Sequence, residues 1–206
     1  MTPIDSPDSI TIPADTQFTT TIDGVNYLYV NPDAAVVNAN PSGVYSTNLS
    51  ITEGRPFTYR FTVSTASPIR YIIPNENVDT RSIKVRVQES TSNTTQTTWN
   101  NASDYTAIAG NTQSYFINEN EDGKYELKFG DNVVGKRLND GNIVVASYRV
   151  CNGTATQGAN TFVAPNSIGG YSNIRLKTAA SAAGGAEQES IASIKFNAPK
   201  NYQAQN

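Results

Sequence analysis

The sequence predicts a mostly-β protein, an antiparallel β-sandwich or two packed β-meanders with a short C-terminal helix. Three observations predict it. Several segments alternate apolar and polar residues with a period of two, as a strand does when one face is buried and the other wet. Asp-Gly pairs punctuate them at Asp23-Gly24, Asp122-Gly123 and Asp140-Gly141, and Asp-Gly tolerates the positive φ of tight hairpin turns. Ser, Thr and Asn make up 64 of the 206 residues while charged residues are only 16%, which favours strands and polar turns over helical surfaces.

In chain order, Phe18–Ile22 and Val25–Val30 flank the first Asp-Gly turn as a hairpin. Residues 31–46 hold Asn31-Pro32, Asn40-Pro41 and Ser42-Gly43 and are expected to be a connector. Phe57, Tyr59, Phe61 and Val63 form one apolar face, with Thr58, Arg60 and Thr62 opposite. Ile83, Val85 and Val87 oppose Lys84, Arg86 and Gln88. Tyr115–Ile117 and Tyr125–Phe129 flank the second Asp-Gly pair, with Tyr125, Leu127 and Phe129 inward. Val144, Ala146, Tyr148 and Val150 follow the third pair, which is read as a further hairpin. Residues 155–170, rich in Gly, Asn and Ser, form a second expected connector, and Tyr171–Lys177 one more strand. Residues 1–178 thus read as one β region or two small β subdomains. Residues 179–206 read as a small-residue linker, then a short helix from Glu187 with Ile191 and Ile194 three apart, stopped by Pro199. So short a helix needs something to pack on, and the sequence reads as a piece of a longer protein. Ile191, Ile194 and Phe196 are the candidate interface residues.

Composition excludes much chemistry. There is no histidine and one cysteine, so Cys/His zinc sites, histidine-paired nucleophiles and an internal disulfide are ruled out. A net charge of -3, from 15 basic and 18 acidic residues, argues against nucleic acid as partner. No apolar run approaches the ~20 residues of a membrane helix. The N-terminal residues lack the basic start and apolar core of a signal peptide. Sequons at Asn48, Asn93, Asn101 and Asn152 are read as chance in an Asn- and Thr-rich chain.

Asn118–Gly123 imitates the start of a calcium loop, but Phe129 stands where a bidentate glutamate belongs, so a hairpin turn is the reading. Glu119, Glu121, Asp122, Glu126 and Asp131 cluster in sequence as glycosidase carboxylates would, although solvent-facing acids explain them better. Cys151 reads as an inert small residue. Trp99 and the 11 tyrosines read as core and interface filling before a sugar platform. No catalytic, cofactor-binding or metal-binding residue is assigned, and no cofactor is expected.

Three blocks together resemble the baseplate J-like family of contractile-tail phages. They are Ile10–Phe18 with Asp23-Gly24; Asp122–Asp131 through Val134-Gly-Lys136 to Leu138–Ile143; and Gly184–Ile191 with Phe196–Lys200. Within the family the chain is most similar to wedge subunits of T-even-like baseplates, the cyanophage versions included. It departs at Asp15 and at Asn132, where the family often has glycine. The resemblance implies a non-enzymatic structural part of the virion tail baseplate, assembled in the host cytoplasm. It implies other wedge proteins and copies of itself as partners, with a homo-oligomer in the full-length assembly. A carbohydrate-binding or adhesin β-sandwich and a tail-associated glycosidase are the alternatives.

Overall fold

The computed structural model describes residues 7–102, 108–165 and 167–186. The mostly-β architecture is the one observed. The chain divides into two compact units, and the second is inserted into the first: the first draws on residues up to Glu53 and from Asn152 onward, the second on Gly54–Cys151.

In the first unit, β1 (Ser9–Ile12) pairs antiparallel with β4 (Ala35–Asn38), and β2 (Gln17–Ile22), β3 (Val25–Val30) and β5 (Thr52–Glu53) form a three-stranded sheet in the order β2-β3-β5. The β2–β3 hairpin closes on Asp23 (φ 50°) and Gly24 (φ 79°), the two left-handed residues that a two-residue turn of this hand requires. Phe18 and Tyr29 are buried across that hairpin with Ala159. The Tyr29 ring meets Phe162 edge-on at 4.9 Å, and its hydroxyl donates to the Thr156 carbonyl at 3.1 Å. Burial, the largest influence on this phenol, raises its pKa above the ordinary value. Thr19 and Val163 exchange backbone hydrogen bonds of 3.1 and 2.8 Å, which ties the C-terminal portion to β2.

Two expectations need correction here. Residues 31–46 contain β4, because Val37 faces inward at 4% exposure and a partner strand is at hand. Tyr171–Lys177 is not a strand: the Ile174 amide bonds back to the Ser172 carbonyl at 3.0 Å, and Tyr171 makes only a single bridge, to Ile168. Buried Asn31, just after β3, organises its loop by donating through Nδ2 to the carbonyls of Pro13 (2.7 Å) and Asp33 (2.9 Å).

The second unit is a seven-stranded sheet. Its strands are β6 (Arg55–Thr62), β7 (Tyr71–Ile72), β8 (Val78–Gln88), β9 (Gln96–Asn101), β10 (Ser114–Glu119), β11 (Tyr125–Phe129) and β12 (Ile143–Val150), in the order β6-β12-β8-β9-β10-β11-β7. All neighbours are antiparallel except β9 and β10, which run parallel. The sheet curls until its two end strands approach, with Phe61 of β6 edge-on to Tyr71 of β7 at 5.6 Å. Its inner face therefore packs on itself. Successive cross-strand rows fill the core: Phe61–Val144–Val87, then Ala146–Val85–Trp99. Each fully buried side chain of this size contributes about 1.5–3 kcal/mol by leaving water.

The Asp122-Gly123 pair closes the β10–β11 hairpin, where the Asn120 side-chain oxygen accepts from the amides of Asp122 and Lys124. Asp140-Gly141, read as a third hairpin, is only a turn that leads into β12, closed by the Asn142 amide on the Asn139 carbonyl at 3.1 Å. No strand precedes it, because the residues after β11 are used in a tight loop. Asp131 Oδ1 accepts from the amides of Val133 (2.8 Å) and Val134 (3.0 Å), and Asn132 Oδ1 from that of Arg137 (2.9 Å). The loop folds so closely that a Cβ on Gly130 would lie 2.1 Å from the backbone of Gly135. Gly130→Ala is expected to destabilise the second unit by about 1–3 kcal/mol or more, since backbone must move. Gly141→Ala, with no atom within 4 Å of the new methyl, should cost less, about 1–2 kcal/mol of backbone strain at its positive φ. Equal losses in urea melts would contradict the close approach.

A bulge interrupts the β8–β12 ladder between Ser147 and Arg149. Ser82 fills it: its hydroxyl donates to the Asp79 carbonyl at 2.6 Å and accepts from the Arg149 amide at 2.8 Å. Arg149 and Asp79, both largely buried, close the same corner with an ion pair of 3.1 Å.

Asp15 (φ 60°) and Asn132 (φ 75°) both occupy the left-handed region, where glycine is the default and Asp and Asn are the best-tolerated substitutes.

The expected C-terminal helix, with Ile191, Ile194 and Phe196, lies outside the described residues. Among these the only helical turn is a 3-10 turn at Gly153–Thr156.

Candidate interaction surfaces

Three acids of the cluster, Glu126, Asp122 and Glu121, act on one guanidinium, that of Arg70, and only Glu126 is bonded to it. Glu126 was expected to face solvent, but it is only 8% exposed. Arg70, preceding β7, reaches over β11 and grips it bidentately, Nε to Oε1 at 3.1 Å and Nη2 to Oε2 at 2.6 Å. The Arg70 guanidinium holds the Glu126 carboxyl below its ordinary pKa. Asp131 is also held low, by the amides of Val134 and Val133 that it caps. These carboxylates are therefore ionised hydrogen-bond acceptors, the opposite of the raised pKa that a general acid requires. Among the described residues no group of three or more Cys, Asp or Glu side chains could hold a metal ion.

The sign of the Glu126 shift sets a pH dependence. With its folded pKa below its unfolded value, Glu126 contributes stability above the ordinary carboxylate pKa and loses it as pH falls through the folded value. The stability difference between wild type and Glu126→Gln should therefore shrink as urea melts are taken from neutral to acid pH. A constant difference would mean that the Arg70 pair contributes nothing through charge.

Trp99 is a core residue, 4% exposed and edge-on to Phe129 at 5.5 Å, which removes it as a sugar platform. Cys151 is half-buried and unbridged. No helix among the described residues is long and apolar enough to cross a membrane.

What the second unit does expose is the outer edge of β6. Phe57 and Tyr59 have the inward parity of Phe61 but are 36% and 42% exposed. The reason is positional: β6 is an end strand, and its contact with β7 is made at Phe61. Phe57 stacks on Tyr148 at 6.2 Å, and Tyr59 meets Phe61 edge-on at 4.8 Å, so the pair extends the core's aromatic row to the rim. The sequence carried a signal for this that periodicity alone misses. Pro56 and two arginines within one strand are marks of an edge.

The geometry defines a two-unit all-β protein, with an aromatic rim at the outer edge of β6 among the described residues. No protein-family model matches the chain, and no curated protein sequence matches it.

Proposed function

We propose that the chain is a structural wedge component of a contractile phage-tail baseplate. In this reading it acts through contacts with other wedge proteins and with copies of itself, and carries out no catalysis. The three sequence blocks that resemble the baseplate J-like family support the reading. One structural observation adds most to that support. The two places where the sequence departs from the family's glycines, Asp15 and Asn132, both have the positive φ for which glycine is the default. The departures thus keep the backbone that a glycine would serve. Ionised, hydrogen-bonded acids in the second block also suit a structural part better than a glycosidase.

The test is incorporation. Antibodies raised against the chain should label the tail tip of intact particles in electron micrographs, and disruption of its gene should yield tails without baseplates. Unlabelled particles with normal tails, or wall-lytic activity abolished by Glu126→Gln, would overturn the reading.

A further inference from the structure

We propose that the outer edge of β6 is a docking site for an extended, acidic strand of a partner protein. The backbone is open for it. The Val63 amide donates to the Asn142 carbonyl at 2.8 Å, on the β12 side. Antiparallel alternation then turns the amides of Phe61, Tyr59 and Phe57 toward β12, and those of Thr58, Arg60 and Thr62 outward. Pro56, which has no N–H, falls in the outward set, where its loss costs no ladder bond. Thr58, Arg60 and Thr62 are all exposed.

Charge selects the occupant. Arg60 lies in register with Val145 of β12 and, beyond it, Arg86 of β8; Thr58 lies in register with Ser147 and Lys84. Arg60, Lys84 and Arg86 therefore share the sheet's outer face beside the open edge, all exposed. No carboxylate among the described residues forms an ion pair with Arg55, Arg60 or Arg86. A strand added to β6 would place alternate residues on this face, where carboxylates meet the basic group, and the others on the opposite face, where apolar side chains meet Phe57 and Tyr59. The fitting partner is an extended segment in which Asp or Glu alternates with apolar residues. A second copy fits less well, because it would bring its own arginines to the same edge.

The proposal goes beyond the baseplate reading and stands on the edge itself. Peptide binding tests the edge and particle labelling tests the assembly, so each can fail alone. The probe is a nine-residue peptide alternating valine and glutamate, titrated into the isotope-labelled full chain, with a valine–lysine peptide as control. The glutamate peptide is expected to shift the amides of Thr58, Arg60 and Thr62 and to slow their exchange with solvent. The double variant Arg60→Glu, Arg86→Glu should bind about tenfold more weakly, as two reversed cross-strand pairs imply. Its melting temperature should hold, since both side chains are exposed. Equal binding of both peptides, no binding at millimolar concentration, or affinity unchanged in the double variant would overturn the proposal. So would a sedimenting dimer whose β6 amides are protected without peptide, which would assign the edge to a second copy.

Discussion

Replacing Trp99 by alanine is expected to destabilise the inserted unit by about 3–5 kcal/mol, the range for emptying a large aromatic site in a packed core. Trp99 sits where the ladder Ala146–Val85–Trp99 crosses the inner face, with Phe129 against its ring. Phe129 in turn touches Tyr71 at 5.3 Å, and Tyr71 touches Phe61. The indole is thus one end of the aromatic chain along which the two edges of the sheet approach. Removing it leaves a cavity and loosens that approach together. Because Trp99 is the single tryptophan, wild-type fluorescence reports this unit alone, and the variant is followed by circular dichroism. A loss below about 1 kcal/mol, typical of an ordinary substitution, would mean that the core closes without it.

Leu127→Ala should cost about 2–5 kcal/mol, and its neighbour Lys128→Ala no more than about 0.5 kcal/mol. Leu127 is 1% exposed, between Ile117 on β10 and Tyr71 on β7, whereas Lys128 points to solvent one residue later. The contrast tests the pleat directly, since adjacent residues of a strand face opposite sides. Equal shifts of the urea midpoint at constant slope would contradict the assigned faces.

Strand faces were legible because burial imposes period two on residues next to one another. Ile83, Val85, Val87 and Leu127 could be placed inward on that ground alone, and all four are buried. The partner of each strand was not legible. Nothing near Gln96–Asn101 announces that it will run parallel to β10, and nothing near Glu126 announces Arg70, 56 residues earlier in the chain. Phe57 and Tyr59 carry an inward pattern at an edge, and only the order of the strands reveals them as a rim. The Asp140-Gly141 turn shows the converse limit. Its local chemistry is that of a hairpin, but a hairpin also needs a strand on its other side.

The insertion of one unit within the other sets an order of events on the ribosome. The second unit has all seven of its strands once Cys151 has been made, and the described residues of its core all lie within Gly54–Cys151. The first unit must wait, because Phe18 and Tyr29 find Ala159 and Phe162 only after the whole insertion has been synthesised. At about 5–20 residues per second, its N-terminal strands stay without their later partners for several seconds. Folding of the insertion shortens that separation. It replaces a long flexible loop by a compact body, so less chain entropy opposes the meeting of the two halves. The clasp that marks their meeting is Glu53, whose carboxylate accepts from both the backbone and the side-chain nitrogens of Asn152 at 3.0 and 2.7 Å. Residues that lie 99 apart in the chain thus become neighbours within the first unit, and its two halves are joined where the insertion leaves and returns.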